Sequence, residues 1–194
     1  MINEQLNKFT IILGSASPRR KELLSDIGLE FSIQNTDKKE SFPTNLKEHE
    51  IAEFLAKQKA KFLSENLRKT DLLITADTIV LFKGELLNKS KNKEQALNTL
   101  SKLSGNTHKV ITAVCIKNHQ KEIVFSVITL VTFKQLTKEE IGFYINNFNP
   151  FDKAGAYGIQ EWIGKIGIKS IEGSYSNVVG LPTAEVYQQL KLFI

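Results

Sequence analysis

One cysteine and three histidines are the only thiol and imidazole ligands among the 194 residues of this chain. Structural zinc sites draw four ligands chiefly from those two residue types, and this scattered set makes none. The lone thiol, Cys115, excludes an internal disulfide, and its place in the alternating run VITAVCIK reads as a buried structural position. No apolar run reaches the ~18 residues of a membrane span. The first residues, MINEQLNKFTIIL, lack the apolar stretch of a secretory signal. Repeats, low-complexity tracts and separating linkers are missing too. A soluble cytoplasmic protein in a reducing setting, without a membrane partner, is expected. The formal charge is +5, but the lysines are spread along the chain and many alternate with glutamates. That pattern reads as a solvated surface and not as a nucleic-acid-binding stripe.

What is present is enough to fold. With 41% hydrophobic and 24% charged residues, the chain can bury a core as a single domain over 1–194 or as two closely packed lobes. Strands and helices alternate along it. FTIIL (9–13) reads as a strand, and Ser17 and Pro18 as the cap and first position of a helix that Gly28 stops. FSIQ (31–34) is a second strand, 46–67 a helix, and LLITADTIVLF (72–82) a long strand closed by a KGE turn. A helix over 92–103 ends at Gly105, and the runs 108–117 and 122–133 form a hairpin. Thr137 and Glu140 make a capping box for a helix ending near Phe148. Strand-like segments through Gly173 and a closing helix started by Pro182 complete the chain. The fold class is α/β, a mixed sheet flanked by helices.

Three places break local rules. Asp77 interrupts the apolar strand LLITADTIVLF. A buried carboxylate without a partner is costly, so it is either a strand-end aspartate bonded to backbone amides or a group that needs a cation. Lys59 falls on the inward side of its helix, one turn after Leu55 and Ala56, while Lys57 and Lys61 point away. It either snorkels along the helix or meets a phosphate or carboxylate. In GSASPRRKELL (14–24), Arg19 and Arg20 stand at a helix start, where the backbone dipole is already positive. The small residues Gly14 to Ser17 let backbone amides approach an anion, and the guanidinium forks suit phosphate oxygens. The pattern is not a P-loop, because G-x-x-x-x-G-K-[ST] is absent.

SASPRRKELL, LAKQKA, ADTIV, GELLNK, LSGNTHKVITAV, DKAGAYGIQ and GSYSNVVGLP follow one another along the chain. In that order they resemble the successive motifs of the Maf family. The resemblance implies an elongated mixed sheet related to the inosine triphosphatases, with two lobes around an active-site cleft. It implies a nucleoside triphosphate pyrophosphatase that cleaves between the α and β phosphates with a divalent metal, Mg²⁺ or Mn²⁺, and that is often a homodimer.

Carried onto this chain, the resemblance makes Asp77 the proton acceptor for the attacking water and a metal contact, and Glu40 an acidic residue tied to activity or to the metal. Ser15, Arg20, Lys59 and Lys89 match positions that hold or polarise the triphosphate. Arg19, Thr78 and Gln160 match the branch acting on dTTP and UTP; Gln160 has the donor and acceptor that a uracil or thymine edge needs. Without the resemblance, Gln160 would read as a polar strand end. Two departures stand out: Lys39 precedes Glu40 where relatives often have two acids, and Ser90 follows Lys89 where proline is usual. Asp152 and Lys153 are either catalytic or a structural ion pair, and His108 anchors a strand start. Two rivals remain: a 7-methyl-GTP pyrophosphatase of the same family, and a non-catalytic nucleotide-binding regulator of septum formation.

Overall fold

A computed structural model describes residues 2–38 and 41–194. A short helix α1 (Ile2–Leu6) precedes β1 (Thr10–Leu13) and α2 (Pro18–Asp26). The Ser17 hydroxyl accepts the Arg20 N–H at 3.5 Å, Pro18 occupies the first turn, and Gly28 follows with φ 76°. After β2 (Ser32–Ile33) comes α3 (Glu48–Leu63), which buries Ala52, Leu55, Ala56, Ala60 and Leu63 at helical spacing. It is shorter than the sequence suggests, because Ser64–Asn66 tighten into a 3₁₀ turn. Next are β3 (Asp71–Phe82), β4 (Glu85–Leu86) and α4 (Lys93–Leu103). Lys83 and Gly84, with φ of 50° and 80°, supply the two left-handed residues of a tight hairpin between β3 and β4.

The hairpin β5 (Thr107–Lys117) and β6 (Glu122–Phe133) turns on Asn118, whose side-chain oxygen accepts the N–H of Gln120 and of Lys121 at 2.9 and 2.7 Å. The Thr137–Glu140 capping box opens α5 (Lys138–Phe148). Beyond it the sequence expectation fails in part: Trp162–Gly167 is a helix, α6, and only β7 (Ile168–Glu172) is a strand. Gly164 lies so close to the Ile159 carbonyl that a Cβ could not fit, a tertiary approach that strand propensity does not register. A further short helix, α7 (Tyr175–Val179), precedes α8 (Thr183–Leu190), for which Pro182 is the cap residue and not the first helical position.

Among the described residues the strands form a seven-stranded sheet in the order β2-β1-β3-β5-β6-β7, with β4 added to β3. β1 runs parallel to β2 and β3, whereas β7 is antiparallel to β6, so the sheet is mixed. The chain divides into two compact units. Unit one runs to Asp77 and adds Thr112–Val127 and Gly180–Ile194; unit two comprises Thr78–Ile111 and Ile128–Val179. Each has its own core. Leu13, Leu24, Leu72, Ile74, Val114 and Ile116 are among the buried residues of the first, and Leu100, Leu103, Phe133, Ile141, Tyr144 and Ile163 of the second. Cys115 is fully buried, and burial first, with the Glu122 charge adding, pushes its thiol up to about 12. No described helix is long and apolar enough to cross a membrane.

Candidate active site

In unit one, helix α3 reaches the sheet because Gly14, at the end of β1, has no side chain. A Cβ there would lie 2.6 Å from Thr75 Cγ2 and 2.7 Å from Leu63 Cδ1. The Thr75 hydroxyl, fully buried in β3, donates to the Ala56 carbonyl of α3 at 2.8 Å and fixes helix against strand. One turn further along α3, Lys59 points inward as its period predicts. Its ammonium donates to Asp77 Oδ1 at 2.5 Å and to the Ala76 carbonyl at 3.3 Å. Both side chains of the pair are only slightly exposed, 13% and 14%. The carboxylate that interrupts β3 and the lysine that faces inward on α3 are therefore each other's partner.

Arg20 converges on the same carbonyl. Its Nη1 donates to Ala76 O at 2.9 Å and to the Ser15 hydroxyl at 3.3 Å, and its Nε donates to Gly180 O at 2.8 Å. Ser15 also accepts the Ser17 N–H at 3.2 Å, which folds the small-residue turn ahead of α2. Arg19, the neighbouring cation, is half-buried. Lys59 thus pairs with the Asp77 carboxylate, and the Arg20 guanidinium is bonded to the neighbouring Ala76 carbonyl. Among the described residues Asp77 Oδ2 makes no hydrogen bond.

Unit two holds Thr78, Lys89 and Gln160. Thr78 directly follows Asp77 in β3 and is half-buried. Lys89 is exposed and bridged through its backbone to Ala154, while the Gly155 N–H donates to the Leu87 carbonyl at 3.1 Å. The loop carrying Lys89 is thereby stitched to the segment that leads to Gln160. Ser90, which the sequence flags as a loosening substitution, is buried. The Gln160 side-chain oxygen is buried and has no hydrogen-bond partner among the described residues.

Lys153 bonds Asp152 Oδ1 at 2.7 Å and Glu161 Oε1 at 3.0 Å, so the sequence alternative of an ion pair is the one the structure contains. His108 opens β5 as anticipated and meets the Tyr157 hydroxyl at 2.7 Å through Nε2. Sequence reasoning missed Tyr144 and Glu161, whose hydroxyl and carboxylate are bonded to each other beside Gly158. Their contact joins α5 to a loop, and only an inward tyrosine in the helical period pointed that way. Glu40 lies outside the described residues. Among those residues no three His, Cys, Asp or Glu gather as a ready metal cage.

The mixed sheet makes this an α/β protein, and its candidate site pairs the Asp77 carboxylate with Lys59 beside the Arg20 guanidinium. The chain belongs to the Maf family: the match to "Maf-like protein" spans residues 10–193. The dTTP/UTP pyrophosphatase of Flavobacterium johnsoniae is 45% identical over 194 residues, with 100% of both chains covered. The dTTP/UTP pyrophosphatase of Christiangramia forsetii is 48% identical over 193 residues, covering 98% of this chain and 97% of its own. A solved structure, the nucleoside-triphosphatase / dITP/XTP pyrophosphatase of Mycobacterium abscessus, has 13% identity and a TM-score of 0.38 over 64% of this chain and 73% of its own. That likeness is too slight to bear on the site.

Proposed function

We propose that the protein is a nucleoside triphosphate pyrophosphatase acting on dTTP and UTP. The observation that carries this reading is the Lys59–Asp77 pair at 2.5 Å, joined at Ala76 by Arg20. The full-length relatives named for the same activity support it. In this reading Asp77 accepts a proton from a water whose oxygen attacks the α-phosphorus. The bond from that phosphorus to the bridging oxygen breaks, and pyrophosphate leaves with the electron pair, giving the nucleoside monophosphate. Lys59 holds the carboxylate in place and balances its charge, and Arg20, Ser15 and Lys89 serve the triphosphate. Gln160, with Arg19 and Thr78, selects the base.

A divalent ion fits this donor set in one specific manner. Mg²⁺ commonly uses one or two carboxylates together with substrate phosphates, and not an all-protein cage, so Asp77, with Glu40, would hold it. Such an ion supplies neutralisation of the charge developing on the phosphoryl oxygens. The decisive experiment is pyrophosphate release from a panel of nucleoside triphosphates with Mg²⁺ or Mn²⁺. Preference for dTTP and UTP is expected. Preferred hydrolysis of 7-methyl-GTP would overturn the substrate assignment, and binding without release would make the protein a sensor.

A further inference from the structure

Residues 153–161, which carry Gln160, are held in one conformation by an unusual set of constraints. Gly155 and Ala156 adopt consecutive left-handed conformations with φ of 71° and 57°. Alanine in that region is strained and persists only where its surroundings impose it. A turn follows, closed by the Glu161 N–H donating to the Gly158 carbonyl at 3.0 Å, with Gln160 inside it. The Glu161 carboxylate folds back over this turn so tightly that a Cβ on Gly158 would stand 2.7 Å from its Cδ. Tyr144, a fully buried residue of α5, clasps both ends: its hydroxyl donates to Glu161 Oε2 and accepts the Gly158 N–H at 3.0 Å. Lys153, 9% exposed at its side chain, bonds the other carboxylate oxygen of Glu161 at 3.0 Å. Burial, with the hydrogen bond to Glu161 adding, pushes the Tyr144 phenol up, which keeps it a donor.

For stability alone this arrangement is a poor choice. A buried ion pair and phenol usually gain little over well-packed apolar groups. Meanwhile the Gln160 oxygen is buried without a partner, so its own bonding does not fix its direction. Something else must do so. We propose that Tyr144 and Glu161, braced by Lys153, are positioning residues that aim Gln160 at the base and so set nucleotide selectivity. This rests on the proposed function and deepens it: these residues act through the turn and do not touch the nucleotide. Groups that aim a recognising side chain need support of this kind to hold it within a fraction of an ångström.

The test compares Tyr144→Phe and Glu161→Gln with Thr137→Ala, which weakens the cap of α5 but leaves the clasp intact. Wild type is measured first on UTP, dTTP and GTP, so failure of the parent reading shows there as a different preferred base. The clasp is then read on whichever base wild type prefers. Tyr144→Phe and Glu161→Gln are expected to raise KM for that nucleotide about tenfold, with kcat within about threefold, and to lower its selectivity over the disfavoured base about tenfold. Thr137→Ala should lower Tm and leave selectivity unchanged. Calorimetric binding of α,β-imido analogues of UTP and GTP gives the same comparison without turnover. Unchanged selectivity in both clasp variants, or an equal loss on every nucleotide, would overturn the proposal.

Discussion

Lys59 and Asp77 are read from the sequence as two separate anomalies, each in need of a charge. They sit 18 positions apart, on a helix and a strand, and nothing in either local pattern names the other. Their pairing depends on Gly14 and Thr75, which set how closely α3 approaches β3. For the same reason the anion-binding character of Arg20 is legible in SASPRR, while its bonds to Ala76 and Gly180 are not. Asp77→Asn keeps the shape and loses the proton acceptor. Turnover should fall about 10²–10⁴-fold, the usual worth of a positioned base. Nucleotide binding should survive, and calorimetry alongside pyrophosphate release separates the two. Near-normal turnover would remove Asp77 from its role.

Among the elements, α3 is the one on which the site depends most. Gly14→Ala is expected to push α3 off the sheet, stretch the Thr75–Ala56 bond and cost about 1–3 kcal/mol, the usual range for overpacking a close-packed interior. Urea unfolding measures the loss, and a parallel fall in kcat would show that helix position and chemistry are linked. A variant as stable and active as wild type would refute the steric argument. Long periodic or alternating segments such as α3, β3, β5 and β6 are visible in sequence because their burial pattern is regular. The five and six residues of α7 and α6 are not, since so short a helix offers little more than one turn of pattern. Tertiary contacts, such as that of Gly164 with Ile159, decide them.

At the scale of the whole molecule, stability should respond to acid through His108. Stacked on Phe133 at 5.7 Å and bonded to Tyr157, it is buried, and burial lowers its pKa from 6.5 to about 4. The unfolded chain therefore takes up this proton first as pH falls. Stability is complete above about pH 6.5 and is lost progressively down to about 4. Between pH 7 and 5 the loss should be about 2 kcal/mol, read from urea midpoints, and His108→Asn should flatten that segment of the profile. A profile already flat in the native protein would contradict the buried neutral imidazole.

The inert thiol of Cys115 has a practical corollary. A cysteine introduced at any exposed position, for instance in place of Lys69, would be the single residue to react with a maleimide under native conditions. The chain is in effect already a cysteine-light background for site-specific labelling, and its own sulfur need not be removed first.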